Sequence, residues 1–203
     1  MSANLRAMGA AGTVTGSAYV LALDGHEILV DCGVFQGEVD AAERNAQAPV
    51  PDPSELGAVV LTHGHLDHVG RLPLLSRGGF AGPIFGHPAT LAIAEIVLRD
   101  ALKISQFAGA GVYSTDDVEA TLALFQPVAY EARRAIPGGA RLTLFDAGHI
   151  LGSSSALVEA AGGSILFSGD LGRRQTPILR DPNTAYPAST SVDHVVIEST
   201  YGD

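Results

Sequence analysis

The sequence predicts an α/β sandwich in which two sheets are covered by helices. Two observations carry this reading. Strand-like apolar runs come in two batches with helical patterns between them, and a dense histidine cluster begins where one strand of the first batch ends. A chain of 203 residues buries roughly 70% of its unfolded surface, so one domain over residues 1–203 is expected.

Residues Thr15 to Val30 read as a hairpin, because SAYVLAL and HEILVD are rich in strand formers and Asp24-Gly25 is a two-residue turn signal. Asp40 to Gln47 is alanine-rich and reads as a short helix, stopped by Pro49, Pro51 and Pro53. Gly57 to Thr62 fits a buried strand. Leu66 to Leu75 reads as a short helix ended by Gly78-Gly79, followed by a short strand at Pro83 to Gly86. Residues 89–106 give the clearest helix: Leu91, Ile93, Ala94, Val97, Leu98, Leu102 and Ile104 recur at close to helical spacing, with Glu95, Arg99 and Lys103 spaced four apart on another face. Thr115 to Glu119 supplies an N-cap and an acidic first turn for a helix reaching Phe125. Four further strands follow: Arg141 to Phe145, Ser154 to Glu159, Ser164 to Ser168, and His194 to Glu198, with Gly162-Gly163 turning a second hairpin.

Composition narrows the class. No apolar run of about 18 residues is free of charge, and Met1 to Gly16 lacks the basic start and apolar stretch of a signal peptide. A cytoplasmic chain without a membrane span is expected. The single cysteine, Cys32, excludes a disulfide framework and a cysteine-based zinc finger. A formal charge of −10 argues against a broad grip on phosphate backbones, although bound divalent cations would reverse the local potential.

The chemistry concentrates in His63-Gly-His65-Leu-Asp67-His68. Zinc takes neutral imidazole and carboxylate donors. Alternate positions of an extended segment point the same way, so His63 and His65 can grip one ion while Asp67 and His68 face a second. Such a run would arise by chance in roughly 5 chains per 10,000 of this composition, which sets it apart from scattered histidines. The remaining ligands are best sought at His149 and Asp170, each beside a glycine in a loop that follows a strand.

These residues and their company resemble the metallo-β-lactamase superfamily, and within it the β-CASP branch of RNA- and DNA-cleaving hydrolases. The resemblance is carried by Gly12 to Ser17, Leu29 to Gly37, Leu61 to His68, Asp146 to Ser153, Phe167 to Arg173, and Ile197 to Gly202. It implies an αββα sandwich in which His63, His65 and His149 hold one zinc, Asp67 and His68 contribute to a second, and Asp170 bridges the two. It also implies that Asp31 orients the ligand loop through hydrogen bonds without touching metal. Asp67, Asp170 and Glu198 become the catalytic carboxylates, Glu198 by positioning a histidine that acts on the leaving group.

Relatives in that branch continue into a cap domain and then return to finish the lactamase fold, bringing two further histidines. By this resemblance residues 1–203 are expected to correspond to the N-terminal part alone, with no cap. An incomplete sandwich, a weak or empty second zinc site and reduced activity are therefore expected, together with a homo-oligomer or domain-swapped assembly formed through the uncovered surface. His26, His87 and His194 read as ordinary surface or loop histidines. Three functions remain open: a zinc-dependent ribonuclease or its catalytic fragment acting on RNA; a hydrolase of a lactone, thioester or β-lactam; and a non-catalytic metal-binding half that pairs with another chain.

Overall fold

The computed structural model describes residues 4–107, 111–187, 190–200 and 202. Two mixed sheets face one another. The first has the order β1 (Asn4–Gly9), β2 (Ala18–Leu23), β3 (His26–Val30), β4 (Leu56–Val60), β5 (Ile84–Gly86) and β6 (Phe125–Pro127). Its first three strands are antiparallel and the rest run parallel from β3 onward. The second sheet comprises β7 (Arg134–Ile136), β8 (Ala140–Asp146), β9 (Ser154–Ala160), β10 (Gly163–Phe167) and β11 (His194–Val196), in the spatial order β11-β10-β9-β8-β7.

Strand alternation divides the core in two. Val20, Leu29, Val59 and Ile84 face the helices, where they meet Leu72, Leu75, Leu98 and Val118. Their neighbours Leu21, Ile28, Val30 and Val60 face the second sheet and pack on Leu142, Leu144, Ala156 and Val158. Each leucine fully buried in this way contributes about 1.5–3 kcal/mol. The helices are α1 (Ala41–Asn45), α2 (Leu66–Val69), α3 (Leu72–Arg77), α4 (Pro88–Phe107) and α5 (Thr115–Ala123).

Among the described residues all five α-helices precede β6, and the core helices cover the first sheet. The outer face of the second sheet meets Val192, while Tyr186 packs edge-on against Phe145. Among the described residues the layers are thus helix, sheet, sheet, with an irregular segment where the expected αββα sandwich has its second helical layer.

Several boundaries differ from expectation for identifiable reasons. The expected helix over Leu66 to Leu75 is two helices. Arg71 N–H bonds to Cys32 O, Gly70 has no room for a Cβ against Leu66 O and Val34, and the chain restarts as α3 with Pro73 in its first turn. The cap of α5 is Ser114, not Thr115: its hydroxyl accepts from Asp117 N–H, and Asp117 accepts from Ser114 N–H. That helix stops at Ala123 because Phe125 pairs with Ile84 in β6. Gly163 pairs with Ala160, so the second hairpin turns at Ala161-Gly162, one residue early. Strands β1, β6 and β7 escaped the sequence reading. The last two have three residues each, too short to show a period.

Gly33 fixes the approach of two loops. A Cβ there would lie 1.5 Å from Asp67 O and 2.6 Å from His68 N. Gly33→Ala is therefore expected to push the Asp31 loop off α2 and lower stability by about 3 kcal/mol, read as a fall in the urea midpoint at unchanged slope.

Candidate metal centre

The candidate residues converge at the C-terminal ends of the central strands, where open α/β sheets place their sites. Asp31 follows β3, Thr62 and His63 follow β4, His149 lies in the β8–β9 loop, and Asp170 follows β10. Ser153 shapes the β8–β9 loop, its hydroxyl accepting from His149 N–H at 2.9 Å and Ile150 N–H at 3.2 Å.

His63, His65, His149 and Asp170 each offer one donor atom, all within 4.8 Å of one another. His63 Nε2 lies 3.1 Å from His65 Nδ1, and His149 Nε2 lies 3.3 Å from the same atom. Asp170 Oδ2 is 3.7 Å from His63 Nε2 and 3.6 Å from His149 Nε2. Four donors around a tetrahedral zinc, each about 2.1 Å from it, sit about 3.4 Å apart. The set fits one such ion.

On the other side of Asp170, its Oδ1 lies 3.4 Å from His68 Nε2, which is 3.9 Å from Asp67 Oδ2. These three donors could share a second cation. They leave it more coordination positions open than the first group does. His26 and His194 are exposed, and His87 stacks on Tyr130 with ring centroids 4.0 Å apart while its Nδ1 accepts from Ala89 N–H.

Asp31 is 2% exposed and holds both halves from behind. Its Oδ2 accepts from His68 Nδ1 at 2.8 Å, leaving Nε2 free to face Asp170. Its backbone is left-handed, φ 59°, a conformation aspartate tolerates better than most residues. Oδ1 takes the backbone N–H of Thr62 at 2.9 Å. The Thr62 hydroxyl lies 2.8 Å from Asp31 Oδ2 and 3.2 Å from His63 Nδ1. With the hydroxyl donating to Asp31 and accepting from His63 Nδ1–H, one carboxylate orients an imidazole in each half, His68 directly and His63 through Thr62. Sequence reading missed Thr62. Its position next to His63 was the available signal, but only the 31–62 contact gives it meaning. Thr62→Val is expected to weaken zinc binding 10- to 100-fold, as loss of an orienting partner does, with Thr62→Ser recovering most of it in a zinc-competition titration.

Electrostatics follow this geometry. Burial, reinforced by His68, holds the His63 imidazole well below its ordinary value. His65 is lowered by burial and by His149. Burial also acts to lower His68, but the charge of Asp31 and hydrogen bonds to Asp170 and Asp31 outweigh it and bring His68 to about 10. Burial acts to raise Asp170, and His68, His63 and His149 instead draw it down to about 2. A cation at His68 Nε2 would replace the proton held there, so loading that half releases a proton.

Glu198 Oε1 accepts from Leu171 N–H at 2.7 Å, and Glu198 N–H donates to Ser168 Oγ at 3.1 Å. It thereby braces the turn that carries Asp170. Tyr201, in the same motif, lies outside the described residues. A cleft of about 290 Å³ opens beside His68 and Asp170, walled by Gly12 to Val14 and by Ile197 to Thr200.

The metallo-beta-lactamase superfamily model matches residues 11–198, which include every residue of this cluster. The chain belongs to the metallo-β-lactamase superfamily. Within it, the chain is 43% identical over 195 residues to Ribonuclease TTHA0252 of Thermus thermophilus, covering 96% of this chain and 43% of that protein. It is 30% identical over 200 residues to Cleavage and polyadenylation specificity factor 73 of Drosophila melanogaster, covering 98% of this chain and 28% of that protein. The chain thus spans less than half the length of these relatives. Zn(2+)-bound PqqB from Methylobacterium extorquens shares the superfamily fold at a TM-score of 0.51 and 18% identity, over 75% of this chain and 52% of that one. Among the described residues no helix is long and apolar enough to cross a membrane.

Proposed function

We propose that this chain is the metal-bearing part of a zinc-dependent ribonuclease of the β-CASP branch, cleaving phosphodiester bonds of RNA. One observation carries the reading: four donors spaced for a tetrahedral ion stand in a chain 43% identical to a ribonuclease. His63, His65 and His149 would hold one zinc, Asp67 and His68 a second, and Asp170 both. When bound, such a pair supplies a nucleophile at neutral pH and neutralises charge that builds on phosphate oxygens.

The chain's own residues hold that arrangement in place. Asp31 and Thr62 set the ring orientations of His68 and His63. Asp67, at the start of α2 and partly exposed, would orient the attacking water by accepting its hydrogen bond. Glu198 acts here as a positioning residue through the Leu171 amide. The reading also includes a cytoplasmic setting and self-association, the latter through the exposed Val195 of β11 and Ile197 just after that strand. Light scattering should give a mass above that of one chain.

Paired assays on a fluorescent RNA oligomer and a chromogenic β-lactam test the reaction. RNA cleavage lost on chelation and restored by zinc is expected. Turnover of the β-lactam without RNA cleavage would replace this reading with a small-substrate hydrolase. Tightly held metal without turnover of either substrate would replace it with a non-catalytic half.

A further inference from the structure

Elsewhere on this acidic chain, among the described residues, most cations are held and the rest are scattered: Arg77 donates to Val112 O and Arg134 to Gln126 Oε1, and Lys103 and Arg141 stand singly without a carboxylate. Arg6 pairs with Glu27, Arg44 with Glu38, Arg99 with Glu95 and Glu119, and Arg133 with Glu159, while Arg71 is buried. The segment just after Asp170 is different. It exposes Arg173, Arg174 and Arg180, and among the described residues none of the three pairs with a carboxylate.

This segment is fastened to the loop that carries His149. Gly172 N–H donates to Ala147 O at 2.8 Å, and a Cβ on Gly172 would lie 1.7 Å from Gly148 O. At the far end, Asn183 N–H donates to Asp146 O at 2.8 Å, and Arg180 O and Pro182 lie against Gly148. Between the two fastenings, Gln175 N–H donates to Asp181 Oδ1 at 2.6 Å, which occupies the loop's one carboxylate with its own backbone. Residues 173–182 are thus a closed excursion beside the candidate metal centre. Three residues span at most about 11 Å, so the Arg173 backbone lies within that distance of Asp170.

We infer that the 173–182 loop is a phosphate-binding rim, whose arginines hold the backbone of a single-stranded RNA next to the scissile bond. This inference rests on the ribonuclease reading. Guanidinium forks match phosphate oxygens in geometry and charge. An acidic chain that must take up a polyanion needs a local positive field at its site, and this loop supplies one. Flanking phosphates, not the reacting one, are its ligands.

The test is a salt titration of binding to a fluorescein-labelled single-stranded RNA, in an Asp67→Asn background that stops turnover. Each phosphate contact adds about 0.7 to the steepness of log affinity against log salt for a single strand. The triple variant R173Q/R174Q/R180Q should therefore lose about 2 from that slope. Arg99→Gln, which removes a paired cation, should leave it unchanged. With Asp67 restored, the triple variant should keep its zinc content and its rate on bis(p-nitrophenyl) phosphate, which has no flanking phosphates, while its KM for RNA rises. If the parent chain binds and cleaves RNA but the triple variant keeps the parent slope, the rim is overturned and the ribonuclease reading stands. If the parent neither binds RNA nor hydrolyses the small diester, both fall.

Discussion

Replacing Asp170 by alanine is expected to strip metal from both halves of the centre and to lower RNA cleavage by a factor of roughly 1,000 or more, since a shared ligand serves a transition-state stabilisation of several kcal/mol. The geometry gives the reason. Its Oδ1 faces His68 Nε2 and its Oδ2 faces His63 and His149. Among the described residues no other carboxylate lies within 4.0 Å of histidines in both groups. Removing the His149 imidazole, by contrast, should empty the first half and leave the second able to take up metal weakly. Metal content after gel filtration distinguishes the two variants. An Asp170→Ala chain that keeps the parental metal content would show that the carboxylate is not shared.

The second large effect is expected at Asp31. Asp31→Ala removes the acceptor for the Thr62 amide, the Thr62 hydroxyl and His68 Nδ1, all in a buried setting. Buried polar groups left without partners cost about 1–3 kcal/mol each, so the metal-free chain should unfold at clearly lower temperature. Zinc affinity should fall 10- to 100-fold as well, because neither His63 nor His68 keeps its orienting hydrogen bond. Asp31→Asn is the more informative partner. It keeps the shape and one acceptor, but its amide nitrogen would oppose His68 Nδ1–H. Most of the thermal stability should return with little of the metal affinity. Recovery of both together would mean that Asp31 serves packing alone.

The contrast between Asp31 and Thr62 shows what the sequence can and cannot reveal. The run from His63 to His68 is dense enough in donor types to announce a metal site by itself, and alternation along an extended segment places His63 and His65 together. Asp31 was reached only through resemblance, since a lone aspartate after a strand reads as a turn residue. Thr62 was not reached at all, because its role depends on β3 and β4 lying side by side in parallel with Val30 opposite Val60. Among the elements, the long helix α4 and the hairpin β2–β3 were legible from periodicity and turn chemistry. The two-helix break at Gly70-Arg71 was not, since it depends on the Asp31–Gly33 loop docking there. Strands β6 and β7 lie beyond local signals, being defined by their partners and not by a pattern of their own.

The most direct test of the central claim is the rate of RNA cleavage as zinc is returned, in measured equivalents, to the metal-free chain. A centre built from His63, His65, His149, Asp67, His68 and the shared Asp170 predicts negligible cleavage without metal and a rate that rises until about two equivalents are bound. Cleavage that is full without metal, or that does not respond to zinc at any loading, would contradict it.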